Sequence, residues 1–458
     1  MLRNADPRDR SPTPAATPIA HVRSRVPFGA GGSCSATMSL GLRLEGRRNP
    51  GEDAAAFLER AAAWLGERDD DPRPRVSIQE DAGHLLLAAE LHPGAEPLLV
   101  EAGGEGVVLS ANTGTAGPGY HRHVCELARE LAAALAIEWT LEEDETGFFA
   151  TGDGEALEQH ALDWMTAVAE QVSELAAEGM KGLALFMPIG HAYEHDGFAA
   201  TVLGPRDAAW FAAVREDPRR AIDIFPWWSE GRGGRYFLEL ARVHMWLDVR
   251  WRAPLDDEER ALLDRVATWI ERAHAMDPEL PIPWDEQAEI LGLLGEESLR
   301  ATRAQLKVQS LPPGVRQAIG YRRRPVRVSL SGGWTLRIPG ELAEKWEERG
   351  TWVAWDARRS LWFNSVTMQA EPGAPPPTTE ETLAELPQLS GDEPLSLERG
   401  ALRGVACFVV EEHEGAPIHR LEAHAAEGPH AAIGTVVLYD EADREWALET
   451  WASLARGG

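Results

Sequence analysis

The hydrophobic period of this chain changes at one break, and that change limits what it can fold into. The break is Leu311-Pro-Pro-Gly314 followed by Tyr321-Arg-Arg-Arg-Pro325. Before it, Leu262, Leu263, Val266, Trp269, Ile270 and Ala273 fall on one helical stripe. After it, short apolar runs alternate with turn residues: Trp334–Pro339, Trp352–Trp355, Leu361–Met368, Val405–Glu411, His419–His424 and Ala432–Tyr439. A helical stretch just before the break, strands after it and a mixed segment nearer the N-terminus predict an α+β, multidomain chain. Its 458 residues have room for two or three domains.

The same reading places the boundaries. Residues 39–205 read as an α+β domain. Helices are predicted at Asp53–Glu67, Tyr120–Ile137 and Glu155–Glu178. Strands are predicted at Leu85–Leu91, Leu98–Glu101, Gly106–Ser110, Glu138–Leu141 and Gly147–Ala150. Residues 206–310 read as a helical region, 311–325 as a linker, and 326–458 as an antiparallel sheet with flanking helices. The first 37 residues are rich in Arg, Pro and Ser and lack an apolar core segment. They read as a disordered tail, or as the result of a start assigned upstream of Met38.

Composition narrows the function. With 45 basic and 74 acidic residues the net charge is −29. Such a field repels phosphate, which argues against nucleic acid and anionic membrane surfaces as partners. No run approaches ~18 apolar residues, so no membrane-spanning helix is expected. Cys34, Cys125 and Cys407 are too few and too widely spaced for a disulfide framework, which suits a reducing cytoplasm. Arginine in place of lysine, with much Ala, Gly and Pro, points to a GC-rich bacterial genome. The 17 tryptophans are spread along the chain and read as packing residues.

Four features of the last third occur together: the strand Trp334–Pro339 closed by proline, the helix onset Thr378-Thr-Glu-Glu-Thr382, the strand Gly404-Val-Ala-Cys-Phe-Val-Val410, and a final strand-to-helix pair, Thr435–Tyr439 then Glu441–Leu454. With them, residues 326–458 resemble a PsbP/Mog1-like domain. The resemblance implies a binding or assembly module without catalytic residues.

One string spells a reaction. His191-Ala-Tyr-Glu-His195 has H-x-x-E-H spacing, which on a helix presents two imidazoles and a carboxylate to one metal ion. Through Thr201 it resembles the pitrilysin-type metallopeptidase motif. That resemblance implies zinc held by His191, His195 and a distant Glu271, with Glu194 as base. The flanking residues oppose a helix. Gly182–Gly190 reads as a buried strand ending at Pro188 and Gly190, and Gly197 follows at once. The segment is therefore expected as strand or loop.

The remaining candidates are smaller. Asn112–Gly119 is a glycine-rich strand–helix loop that either cradles phosphate or makes a tight turn. His121, His123 and Cys125 read as surface histidines beside a buried cysteine, since His123 points away from the other two. Glu142–Glu145 reads as a solvated turn, and Phe225–Trp228 as a core corner or a pocket wall. Arg316, Arg322, Arg323, Arg324 and Arg327 read as a solvated linker, or as a patch docking on an acidic partner or on the protein's own body. The function expected is non-catalytic protein–protein interaction, of an assembly or immunity type, with no cofactor. The alternative is the zinc-dependent hydrolase.

Overall fold

The computed structural model describes residues 40–457, apart from 82–83, 181, 196, 296–318, 348–349, 370–374, 390 and 414. The expected tail lies outside the described residues, as do residues 311–318 of the expected linker, Arg316 among them. The protein is α+β, with several antiparallel sheets and helices between them. Among the described residues no helix is long and apolar enough to cross a membrane.

The first sheet contains β1 (Gly41–Arg47), β2 (Arg75–Asp81), β3 (His84–Glu90), β4 (Leu98–Gly103), β5 (Gly106–Asn112) and β6 (Glu138–Glu143), in the order β2-β3-β4-β5-β1-β6. In β1 the pleat turns Leu42 and Leu44 inward while Arg43 and Glu45 face out. Helix α1 (Ala54–Gly66) starts where the Asp53 carboxylate accepts the Ala55 and Ala56 N–H groups. Its Phe57, Leu58, Ala61 and Leu65 are buried against the sheet. Each such side chain contributes about 1.5–3 kcal/mol. Helix α2 (Pro118–Leu135) packs alongside α1.

Beyond this sheet lie α3 (Phe148–Thr151), α4 (Gly154–Ala177), α5 (Ala208–Glu216), α6 (Gly234–Leu247), α7 (Asp257–Met276) and α8 (Trp284–Leu293). The predicted stripe on α7 is buried at Leu263, Val266, Trp269, Ile270 and Ala273. These side chains join Phe237, Leu240 and Ile290 in a single core with the residues of the first sheet.

A second core gathers the C-terminal strands. β10 (Val326–Ser329) and β11 (Trp334–Ile338) pair with each other. β7 (His191–Ala192) adds to β10, and β19 (Ala455–Arg456) adds to β11. Between β7 and β10 in the chain, β8 (Phe198–Thr201) and β9 (Gly204–Asp207) form a hairpin. The large sheet runs β12 (Ala343–Trp346), β13 (Trp352–Trp355), β14 (Arg359–Thr367), β18 (His430–Leu438), β17 (Ala416–Glu427), β16 (Leu402–His413), β15 (Asp392–Arg399). Trp334 is fully buried in this core, with Leu361, Phe363, Leu421 and Val436 of the large sheet. Val243, Trp246 and Leu247 of α6 belong to it too. Helix α9 (Thr379–Ala384) opens on a complete capping box between Thr378 and Glu381. Helix α10 (Arg444–Ala452) sets Trp451 over Gly434, where a Cβ would meet the indole at 3.3 Å.

Two segments differ from expectation. Gly147–Ala150 is not a strand, because Asp144 accepts the Phe149 N–H and curls the chain into α3. Within 182–190 the chain makes only an isolated bridge, Ala184 to Ala200, rather than a strand. Glycine at 182 and 190 adopts positive φ there, and Pro188 has no N–H to give.

Candidate functional site: two buried imidazoles and an open sheet face

His191 lies on the two-residue β7, and Ala192, Tyr193 and Glu194 lead away from it without a helical turn. Its ring is anchored at both ends. Nδ1 lies 2.5 Å from the Tyr321 hydroxyl, and Nε2 lies 3.0 Å from Glu344 Oε2. Burial raises the Tyr321 pKa, so the phenol keeps its proton and donates it to Nδ1. Nε2–H then donates to Glu344. Arg322 Nη1 reaches Glu344 Oε1 at 3.0 Å, and Arg250 stands 3.9 Å away. Burial works against the Glu344 charge. The hydrogen bond from His191 and the charges around it outweigh that effect and bring the pKa down to about 2.

The other residues of the H-x-x-E-H motif go elsewhere. Glu194 pairs with Arg327 at 2.5 Å. His195 stacks on Tyr193 with ring centroids 6.0 Å apart and meets Phe198 edge-on. Glu271 lies on α7. Among the described residues, His191, His195 and Glu271 are not brought together as a metal-ligand group.

Of the described arginines in the run, Arg322 and Arg323 are tied to the protein's own body. Arg322 is buried and also donates to the carbonyls of Leu247 and Gly340. Arg323 pairs with Glu289 and lies 3.4 Å over the Trp251 ring. Arg322 docks there because the buried carbonyls and the Glu344 carboxylate require donors.

Among the described residues one set of three ligand groups does converge: His121, Cys125 and Asp144, with ligand atoms all within 4.8 Å of one another. His121 is fully buried rather than on the surface, and Asp144 of the expected solvated turn has a fully shielded side chain. Asp144 accepts the Thr146 N–H at 2.9 Å, the Thr146 hydroxyl at 2.6 Å and the Phe149 N–H at 2.7 Å. Burial, then the charge of Asp144, pushes the Cys125 thiol up. Spacing on α2 already aligned His121 with Cys125; nothing in the sequence showed that Asp144, 19 positions further on, would meet them.

His123 faces the other way and stacks on Trp227 at 5.0 Å. Burial lowers its pKa to about 4. It lines a cleft of about 210 Å³ with Trp227, Arg68, Asp70, Arg122 and Arg232. These arginines are neutralised in place by Asp70, Glu130 and Glu230. The glycine-rich loop is a packing device. Gly117 has φ +104°, the Gly119 N–H donates to the Trp227 carbonyl at 3.0 Å, and a Cβ on Gly119 would strike Trp227 at 2.5 Å. The N–H that a phosphate would need is already used, so the 225–228 corner and the loop are two halves of one contact.

The third feature is a surface. On β14, Trp362 and Val366 are 42% and 45% exposed. Their cross-strand partners on β18 are Thr435 and Ala431, and Ile433 and Val437 lie on the same face. Arg420, paired with Glu411 and Glu422 at 2.8 Å each, borders this apolar stripe.

No family model matches the chain, and no curated protein matches it. Among solved structures, a crystal structure from Bacteroides thetaiotaomicron VPI-5482 is similar over 28% of this chain and 47% of that chain, at 14% identity and a TM-score of 0.23. This chain thus spans about half the length of that one, and a likeness so slight carries no argument about fold or function.

Proposed function

We propose that this chain is a non-catalytic protein-binding module of the bacterial cytoplasm, and that it engages its partner with the outer face of the large sheet. Trp362 carries the reading: a large indole left 42% exposed on a central strand, among Val366, Ile433 and Val437, with an ion-paired rim. Aromatic anchors with polar surrounds mark interface centres. The reading of residues 326–458 as PsbP/Mog1-like points the same way, toward binding or assembly. The hydrolase alternative gains no support. Both His191 ring nitrogens are occupied by Tyr321 and Glu344, and Glu194 is tied to Arg327.

The test is site-specific photo-crosslinking in bacterial cells. A photoreactive residue at position 362 is compared with one at Ile78, an exposed apolar position on the first sheet. The reading predicts a discrete adduct with another protein from position 362 alone. Equal adducts from both positions, or none from 362, would refute it.

A further inference from the structure

The hydrogen bonds around His121 leave room for one cation. The Leu40 carbonyl can only accept, so the Thr113 hydroxyl, 2.8 Å away, gives it its proton. The Thr113 oxygen therefore accepts from His121 Nδ1–H at 2.9 Å, and the lone pair of the neutral ring falls on Nε2. On that side Thr146 commits its single hydroxyl proton to Asp144 Oδ1 at 2.6 Å. Nε2 then faces two acceptor oxygens, Thr146 Oγ1 at 3.2 Å and Asp144 Oδ1 at 3.3 Å. Three lone pairs do not face one another without a positive centre among them, either a proton on Nε2 or a metal ion.

The spacing favours the metal. A charged N–H···O⁻ bond is about 2.7–2.9 Å long, and 3.3 Å exceeds that. Tetrahedral zinc, with bonds of about 2.0–2.1 Å, holds nitrogen and oxygen ligands about 3.3 Å apart. Cys125, one turn after His121 on α2, brings a sulfur to the same place. The Nδ1–H···Thr113 bond is the outer contact that orients a metal-bound imidazole.

We propose that His121 Nε2, Cys125 Sγ and an Asp144 carboxylate oxygen bind Zn²⁺, with a water beside Thr146 as fourth ligand. On binding, the Cys125 S–H bond breaks, the thiolate bonds to zinc and the proton leaves to solvent; no oxidation state changes. The His121 and Asp144 side chains are wholly shielded and Cys125 is fully buried, so the ion would tie the loop after β6 to α2 away from bulk solvent.

The chain is produced without a polyhistidine tag, reconstituted with zinc and dialysed. Zinc is then counted in wild type, Cys125→Ser, Asp144→Asn and His191→Ala. Cobalt exchange reports a thiolate ligand through its near-ultraviolet charge-transfer band. The proposal expects one zinc per chain and a thiolate–cobalt band in wild type and His191→Ala. It expects both to be lost in Cys125→Ser, with at least a tenfold weaker site in Asp144→Asn. Substoichiometric zinc in reconstituted wild type overturns it, and so does zinc that Cys125→Ser leaves unchanged. Should Cys125→Ser fail to fold, the wild-type cobalt spectrum decides alone: a missing thiolate band overturns the site.

Discussion

His191 and His121 are both buried imidazoles with oxygen atoms at both ring nitrogens, and they differ in where the protons are. At His191, Tyr321 has a proton to give to Nδ1 and Glu344 has a lone pair to take Nε2–H. Every donor meets an acceptor, and no further atom is needed. At His121, Thr113 and Thr146 have each committed their protons elsewhere, and Nε2 meets only acceptors. A motif search finds the first histidine and passes over the second. Counting protons reverses that ranking, because a metal site shows itself as acceptors facing one another rather than as a string of residues.

The largest effect should come from emptying the closed network. Glu344→Ala leaves the buried Arg322 without its carboxylate and Arg250 with Glu259 alone. Removing one partner from a buried pair costs about 3–5 kcal/mol, to be read from urea unfolding midpoints. A loss under about 1 kcal/mol would mean that the network is solvated and the contrast with His121 is mistaken.

Acid should act on the same residue. The Glu344 pKa is about 2 in the fold, against an ordinary 4.5. Its contribution is therefore present above pH ~4.5 and is lost as the pH falls from there toward 2. The loss should be on the order of 3 kcal/mol. Glu344→Gln should flatten that part of the stability–pH curve, and an unchanged curve would locate the acid sensitivity elsewhere.

Removing zinc comes next. At free zinc a hundredfold above Kd, a site filled only in the folded state adds about 2.7 kcal/mol. A strong chelator should lower the wild-type Tm accordingly and leave that of Cys125→Ser unmoved. Equal shifts in both proteins would separate the chelator's effect from His121.

The smallest expected effect is at the sheet face. Trp362→Glu should cost no more than about 2 kcal/mol, since the side chain is already 42% in water. A large loss would make Trp362 a packing residue and weaken the binding reading.

Much of the architecture was legible locally. Short apolar runs bounded by turn residues mark Val405–Glu411 and Ala432–Tyr439, and β16 and β18 occur there. Helical period likewise placed α2, α4 and α7. β1 was missed although Leu42 and Leu44 alternate with Arg43 and Glu45, because the pattern spans so few apolar residues. The sites were less legible because they are long-range. Tyr321 and Glu344 reach His191 across 130 and 153 positions, and Asp144 reaches His121 from a run that looked solvated. Arg322 looked like linker for the same reason: its acceptors, Leu247, Gly340 and Glu344, lie in three separate segments.

The contrast between the two rings can be observed directly by selective ¹⁵N-histidine labelling and NMR of the zinc-reconstituted chain. His191 should carry a proton on Nε2, the nitrogen that faces Glu344. His121 should also carry one, on Nδ1, with Nε2 unprotonated and shifted by the metal. An imidazolium at His121, with protons on both nitrogens, would contradict the account: a proton would then occupy the place assigned to zinc.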